Sequence, residues 1–374
     1  MGPFPHNSMP AVITTANPMG TDGFEFIEYA HPEPVKLKAL FEQMGFRAVA
    51  THRSKRVTLF RQGDINFVVN EEPDSFAAEF AAQHGPCACA MAFRVADARK
   101  AYERALGLGA EPYTGHIGPM ELYIPAIRGI GGSLIYFVDR YGMKGNIWDI
   151  DFVWSGEANP APELAGLHYI DHLTHNVFRG RMDHWASWYG KLFNFREIRF
   201  FNIEGKLTGL MSRALTSPCG KIRIPINESI DDVSQIQEYL RDYRGEGIQH
   251  VALGSRNIYT SVEALRASGL AFMPTPPATY YDKVDARLPG HGEPLDRLQA
   301  NGILIDGEGV VSGADGKVSA RVLLQIFSAT VIGPIFFEFI ERKGDEGFGE
   351  GNFRALFESI EEDQIRRGVL KPAE

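Results

Sequence analysis

Glu338 stands in the middle of GPIFFEFIERKG, residues 333–344, an apolar and aromatic run with turn glycines at either end that reads as a buried strand. A carboxylate there is costly unless it is paired or bound to a metal. Two histidines in other apolar runs are its natural companions: His172 in HYIDHLT (168–174) and His250 in IQHVAL (248–253). Two neutral imidazoles and one carboxylate on one face of a metal leave three positions open, the arrangement of non-haem Fe(II) oxygenases, and a cation would compensate the buried charge.

Singly, each residue has an ordinary explanation. A strand histidine is usually a hydrogen-bonded core or surface residue, and a buried glutamate can be the partner of an arginine. Strand alternation places Phe336, Glu338 and Ile340 on one face, and His168, Ile170, His172 and Thr174 on one face of their own strand, with His175 pointing away. His168 lies four residues from His172, roughly 13 Å along a strand, and needs a separate role. His84, His116, His184 and His291 fall in loop or helix patterns and read as ordinary.

An internal repeat sets the three residues apart. GGSLIYFVDRYG (131–142) has the pattern of GPIFFEFIERKG, with Tyr136 in the place of Glu338. FEFIEYA (24–30) resembles HYIDHLT, KLKALFEQMGF (36–46) resembles WASWYGKLFNF (185–195), and ACAMAF (88–93) resembles IQHVAL. The chain therefore reads as two tandem copies of one domain, residues 21–150 and 151–374, behind a loose tail of residues 1–20 rich in Pro, Gly, Ser, Thr and Asn. Within each copy a strand–helix–strands pattern occurs twice, which predicts an α+β fold with helices outside curved sheets. In this alignment Tyr29 stands opposite His172, Ala90 opposite His250 and Tyr136 opposite Glu338. The second copy holds His, His and Glu where the first holds none of them.

Composition bounds the rest. The 374 residues suffice for two domains or more. The net charge of −9, with no basic stripe interleaved with aromatics, argues against nucleic acid. No apolar run has the length of a membrane span, and the N-terminus lacks the features of a signal peptide. The three cysteines make no disulfide framework; Cys87 and Cys89 read as ordinary residues of an apolar strand, and a cytoplasmic protein is expected. No Gly-rich phosphate-binding motif or G-x-S-x-G is present.

The run IDHLTHNVFRGRMDHWASWYGKLFNFREIRFF, the segment GEGIQHVAL, and the C-terminal stretch from LLQIFSATVIGPIFFEFIERKG to IEEDQIRRGVL closely resemble the 4-hydroxyphenylpyruvate dioxygenase family, above all its bacterial members. The resemblance covers the second copy fully and the first less strongly. It implies the vicinal-oxygen-chelate architecture, in which paired βαβββ modules form an open β-barrel in each domain, with the first lacking a metal site. It implies Fe(II) bound by His172, His250 and Glu338. Substrate contacts carried over by motif are Ser212, Asn227 of the PIN segment, Gln235 of SQIQEY, Gln249, Gln325 and Phe327 of LLQIF, Phe336, and Phe348, Phe353 and Phe357 of GFGEGNFRALF. Gln249 is awkward, because alternation puts it opposite His250 unless the strand is bulged. Gln325 and Phe327 share one face of an apolar strand; a strand phenylalanine is commonly core packing, whereas a buried amide needs partners. Gln235 starts a helix, where it has an ordinary solvated reading.

The terminal stretch has a helical apolar face at Phe353, Leu356, Phe357 and Ile360, suited to a core helix or to a lid, with Gly347, Gly349 and Gly351 as a hinge. The implied reaction turns 4-hydroxyphenylpyruvate and O2 into homogentisate and CO2, by oxidative decarboxylation, ring hydroxylation and side-chain migration. Ser212, Asn227, Gln235 and Gln325 would hold the phenol or orient the keto acid, and a homo-oligomer, dimer or tetramer, is expected. The nearest competitor is a 4-hydroxymandelate synthase, in which the Pro and Asn of the PIN segment are typically changed; Pro225 and Asn227 are intact here. A non-enzymatic binding protein, as some haemolysin- or pigment-associated relatives have been described, and a zinc hydrolase are further alternatives. The full His–His–Glu set speaks against the first, and the absence of H-E-x-x-H against the second.

Overall fold

The computed structural model describes residues 10–115, 117–118, 120–156, 165–204, 209–312, 318–349, 351–352, 364–365 and 367–369. Its first sheet contains β1 (Thr21–Ala30), β2 (Arg47–His52), β3 (Val57–Gln62), β4 (Ile65–Asn70), β5 (Cys87–Val95), β6 (Pro112–Tyr113), β7 (Ala126–Arg128), β8 (Leu134–Val138) and β9 (Phe152–Trp154). The second contains β10 (Leu167–Val177), β11 (Arg196–Glu204), β12 (Gly209–Thr216), β13 (Arg223–Ser229), β14 (Gly247–Ser255), β15 (Leu304–Ser312), β16 (Val318–Phe327) and β17 (Phe336–Lys343).

The sheet orders are β6-β7-β8-β5-β1-β4-β3-β2-β9 and β11-β12-β13-β10-β14-β17-β16-β15. Apart from β9 these are one order read from opposite ends, so the repeat in the sequence is a repeat in topology. Each domain is a pair of βαβββ modules joined where their first strands run antiparallel, β1 on β5 and β10 on β14. β9 pairs with β2, so the first sheet reaches past residue 150. Residues 17–20 do not behave as a loose tail: Met19 is buried, and the Asn17 carboxamide binds the backbone of Thr21 in both directions at 2.9 Å.

Corresponding helices begin alike. Asp97 caps Ala98–Gly107 by accepting from Lys100 N at 2.9 Å, and Asn257 caps Ile258–Ala267 by accepting from Thr260 N at 3.2 Å. The helices cover the outer faces of the sheets. On β10, His175 meets the Tyr189 hydroxyl of helix Met182–Phe193 at 2.8 Å, and Leu173 and Val177 join the main core. The intervening residues of β10 therefore face the barrel interior. The two domains share core: Phe67 lies 5.9 Å from Phe337, and the His84 ring stacks at 4.6 Å on Tyr243. Cys87 and Cys89 are free and buried in β5, where burial pushes their thiols up, as suits ordinary strand residues. Among the described residues no helix is long and apolar enough to cross a membrane.

Candidate metal centre

Two bulges aim the histidines. On β10 the register runs from Ile170↔Leu253 to His172↔Ala252, so Asp171 is the extra residue. On β14 it runs from Thr174↔His250 to His175↔Ile248, so Gln249 is the extra residue. A bulge re-aims side chains and disturbs alternation. That resolves the difficulty with Gln249, and it corrects the expectation that Ile170 shares a face with His172: Ile170 joins the main core with Leu173. β17 then pairs with β14 in parallel, His250↔Phe336 and Ala252↔Glu338, which sets Glu338 across from His172 and beside His250.

One ligand atom from each of His172, His250 and Glu338 lies within 4.8 Å of the others. His172 Nε2 is 3.2 Å and His250 Nε2 3.4 Å from Glu338 Oε2, and all three side chains are buried. The far side of each imidazole is held by the bulge residue before it: His172 Nδ1 by Asp171 Oδ1 at 2.8 Å, His250 Nδ1 by Gln249 Oε1 at 3.0 Å. With Nδ1–H donated outward, each ring presents the lone pair of Nε2 to the centre. Asp171 is itself clamped by Arg342, Nε to Oδ2 at 2.7 Å and Nη2 to Oδ1 at 2.8 Å, and accepts from the Tyr169 hydroxyl at 3.2 Å.

The electrostatics suit a cation. Burial alone would raise the Glu338 carboxyl, but the charge and hydrogen bonds of the two imidazoles hold it at about 2. Burial would lower His172, yet Glu338 and Asp171 raise it; burial lowers His250. Asp171 is held well below the ordinary range despite its burial, because Arg342 stands against it. Glu338 Oε1 is buried with no hydrogen-bond partner among the described residues. Two convergent imidazole nitrogens around an ionised carboxylate with a free oxygen fit a divalent metal of the Fe(II) or Zn(II) type.

The first domain shows what is scaffold and what is site. Its registers repeat both bulges, at Glu25 on β1 and at Cys89 on β5. They put Phe26 at the position of His172, Ala90 at that of His250 and Tyr136 at that of Glu338. The sequence pairing of Tyr29 with His172 is thus off by three residues, because repeated bulges shift the register that a simple alignment follows. The acid at the bulge persists, since Glu25 is buried and paired with Arg94 at 2.5 Å. In place of ligands, Phe26 packs at 5.6 Å against both Tyr136 and Trp148.

Other candidates lie at several distances from the centre. Phe336 stacks on His250 with ring centroids 4.8 Å apart, and Phe327 and Phe336 form an inner cluster with Leu304. The Phe348 ring meets His172 edge-on at 5.4 Å, with the guanidinium groups of Arg223 and Arg342 over it at 5.9 and 5.8 Å. Among the described residues both polar atoms of Gln325 are buried without partners; the chain crosses over them at Gly349 (φ +72°), where a Cβ would come within 2.4 Å of the amide. Ser212 and Asn227 are direct neighbours across β12 and β13. Gln235, first residue of helix Gln235–Tyr243, lines a cavity of about 620 Å³ with Gln249 and Phe336, walled on one side by His84, Gly85 and Pro86. That cavity borders the centre without containing the three candidate ligands. The Gln249 side-chain oxygen faces His250, so its first contact is with a candidate ligand. Phe353 and Phe357, with the proposed lid face, lie outside the described residues.

Asp171 and Arg342 were not singled out in the sequence. Asp171 in HYIDHLT is, like Glu338, an acid in an apolar strand, and that signal marks it in the sequence. Its partner is 171 residues away, and no local signal names it.

A family model described as "Hydroxyphenylpyruvate dioxygenase, HPPD, N-terminal" matches residues 15–153, and one for the "Glyoxalase/Bleomycin resistance protein/Dioxygenase superfamily" matches residues 169–291. The chain is 61% identical over 369 residues to "Hemolysin VllY" of Vibrio vulnificus, covering 97% of this chain and 100% of that one. It is 59% identical over 355 residues to a 4-hydroxyphenylpyruvate dioxygenase of a Pseudomonas species, covering 95% and 98% respectively. Among solved structures it is similar to a xylose isomerase-like TIM barrel/4-hydroxyphenylpyruvate dioxygenase fusion protein, with TM-score 0.75, 34% identity, 94% of this chain and 54% of that one. A mutant 4-hydroxymandelate synthase from Streptomyces coelicolor, TM-score 0.75 and 24% identical over 95% of this chain and 100% of its own, shares the fold. With three residues that could hold a metal in the second of two paired βαβββ domains, and near full-length relatives at this level of identity, the chain belongs to the 4-hydroxyphenylpyruvate dioxygenase family.

Proposed function

We propose that this chain is an Fe(II)-dependent dioxygenase that converts 4-hydroxyphenylpyruvate and O2 into homogentisate and CO2. The observation that carries the reading is the buried His172–His250–Glu338 set with an unpartnered carboxylate oxygen, in a domain whose sister has Phe, Ala and Tyr at those positions. Iron bound there would supply the redox chemistry of O2 and a docking point for the α-keto acid. The residues of the chain supply geometry. Asp171 and Gln249 fix the faces of the two histidines, and Arg342 fixes Asp171. Phe327, Phe336 and Phe348 line the surroundings with apolar surface that excludes water and offers the aryl ring edge and face contacts. Ser212, Asn227 and Gln325 provide hydroxyl and amide groups for the polar ends of the substrate.

Ring hydroxylation is favoured over the 4-hydroxymandelate outcome by the intact Pro225 and Asn227, with Asn227 on β13 beside Ser212. A binding protein without activity, a reading prompted by the relative named a hemolysin, does not account for ligands kept in only one domain. Placement in the cytoplasm and assembly as a homo-oligomer rest on the family resemblance; size-exclusion chromatography with light scattering tests the assembly. The activity is tested by anaerobic reconstitution with Fe(II), then O2 uptake with 4-hydroxyphenylpyruvate and chromatography of the product. Homogentisate supports the proposal, 4-hydroxymandelate overturns its regiochemistry, and bound iron without uptake overturns the reaction.

A further inference from the structure

Buried polar groups almost always have hydrogen-bond partners, so those that lack one, where they face a candidate site, point to a group that arrives from outside the fold. Asn176 on β10 is fully buried, and both its Oδ1 and its Nδ2 are without partners among the described residues. Its direction follows from its neighbour: His175 reaches outward to Tyr189, so Asn176 points into the barrel, on the side of His172 and Thr174. Its place in the sheet is equally defined. Asn176 pairs with Asn227 on β13, and Asn227 pairs with Ser212 on β12, so the three side chains form one row across adjacent strands. The next residue in the row, on β14, is Gly247, and the side chains of Tyr243 and Tyr239 close that edge.

The row stands at a set distance from the metal centre. Asn176 is four residues from His172, roughly 13 Å along the strand, with Thr174 between them, its hydroxyl also buried and without a partner among the described residues. Gln325 lies beyond the centre in the other direction, opposite Ile340 where Phe327 is opposite Glu338. An arylpyruvate anchored by its keto acid at the centre therefore has a polar row ahead of its ring. A phenol both donates and accepts, and a carboxamide with both atoms free beside a serine hydroxyl can answer in both senses.

We propose that Asn176 is a substrate-binding residue, its carboxamide receiving the ring hydroxyl together with Ser212 and Asn227. The assignment rests on the arylpyruvate reading above and deepens it: the row selects a para-hydroxylated ring over a bare one. It also accounts for the unpaired amide, which is kept ready for a group that arrives with the ligand.

The test is equilibrium binding of 4-hydroxyphenylpyruvate and of phenylpyruvate to the anaerobic Fe(II) protein, for wild type, Asn176→Leu and Asn176→Ser. Leucine matches asparagine in size and cannot hydrogen-bond. The expected result is a loss of at least about tenfold in affinity for 4-hydroxyphenylpyruvate with phenylpyruvate changed by less than about twofold. The thermal midpoint of the ligand-free Asn176→Leu protein should be equal to or above that of wild type, because an unpaired buried amide contributes nothing to the fold. A merely structural asparagine would lower the midpoint and weaken both ligands together, and that result overturns the proposal, as does unchanged discrimination in both variants. Should leucine prevent folding, Asn176→Ser, which shortens the side chain and keeps a polar atom, gives the same comparison. If wild type binds neither ligand, the arylpyruvate reading itself fails and the proposal falls with it; if wild type binds both equally well, only the hydroxyl row fails.

Discussion

Asp171→Asn separates two roles that one carboxylate performs. Asp171 and Arg342 are joined by two bonds of 2.7 and 2.8 Å, with side-chain exposures of 0% and 1%. Asparagine keeps the shape and an oxygen for His172 Nδ1, but it removes the charge and leaves the guanidinium buried and uncompensated. Breaking a buried pair from one side costs about 3–5 kcal/mol, which corresponds to a fall on the order of 10 °C in the midpoint of the domain that contains it. The same change loosens His172, and loss of such an orienting contact costs about 10–100-fold in metal affinity. The assay is thermal and denaturant unfolding of metal-free protein, with metal titration by competition against a chelator. Asp171→Asn combined with Arg342→Met should recover most of the lost stability, since a buried pair replaced by neutral groups is often no less stable. It should recover little of the metal affinity, because a neutral amide oxygen still holds His172 Nδ1–H less firmly than the carboxylate did. A single variant that loses less than about 1 kcal/mol, within the range of exposed pairs, would refute the reasoning, and so would a double variant that recovers affinity and stability in parallel.

Glu338→Gln should leave a folded protein that no longer retains iron and has no O2 uptake; activity at the wild-type level removes Glu338 from the site. Because His172 is raised above its ordinary value by Glu338 and Asp171, the metal-free centre keeps a proton on it below that raised value. Metal loading then releases this proton, so apparent affinity should fall about tenfold per pH unit as pH drops below that value and level off above it; a flat profile between about pH 5 and 7 contradicts this. The same proton stabilises the metal-free fold below the unfolded value, and that contribution is lost as pH rises through the folded one. Gly349→Ala places a Cβ within 2.4 Å of the Gln325 amide at a φ of +72°, and should raise KM and cost about 1–3 kcal/mol; unchanged kinetics would show that the segment does not press on the site. Phe26→His, Ala90→His and Tyr136→Glu together should create a weak second site for Co(II), visible in its absorption spectrum, whereas a set using Tyr29→His should not.

The sequence by itself determined a good deal. The repeat was legible because both copies keep the same apolar runs and turn glycines, and Glu338 because an acid in such a run has few explanations. The difference between the copies at Ala90/His250 and Tyr136/Glu338 was legible as well, since β8 and β17 are regular where they pair with β5 and β14. Position 172 was recognised, but its counterpart was misplaced at Tyr29, because Glu25 and Asp171 are bulge residues and a bulge is a property of strand pairing that no single strand displays.

Only the tertiary structure decided which groups act together. It brings Arg342 to Asp171 across 171 residues of chain, and gives Gln249, expected as a substrate contact, a hydrogen bond to His250 as well. It also sets Ser212, Asn227 and Asn176 in one row through two strand registers. The physical reason is common to all of these. A residue's type and its local periodicity are written along the chain, and they specify which strands exist and which positions are costly to bury. Partners across a sheet, and the polar atoms left without one, depend on register between segments far apart in sequence, and register is settled only when the sheet closes.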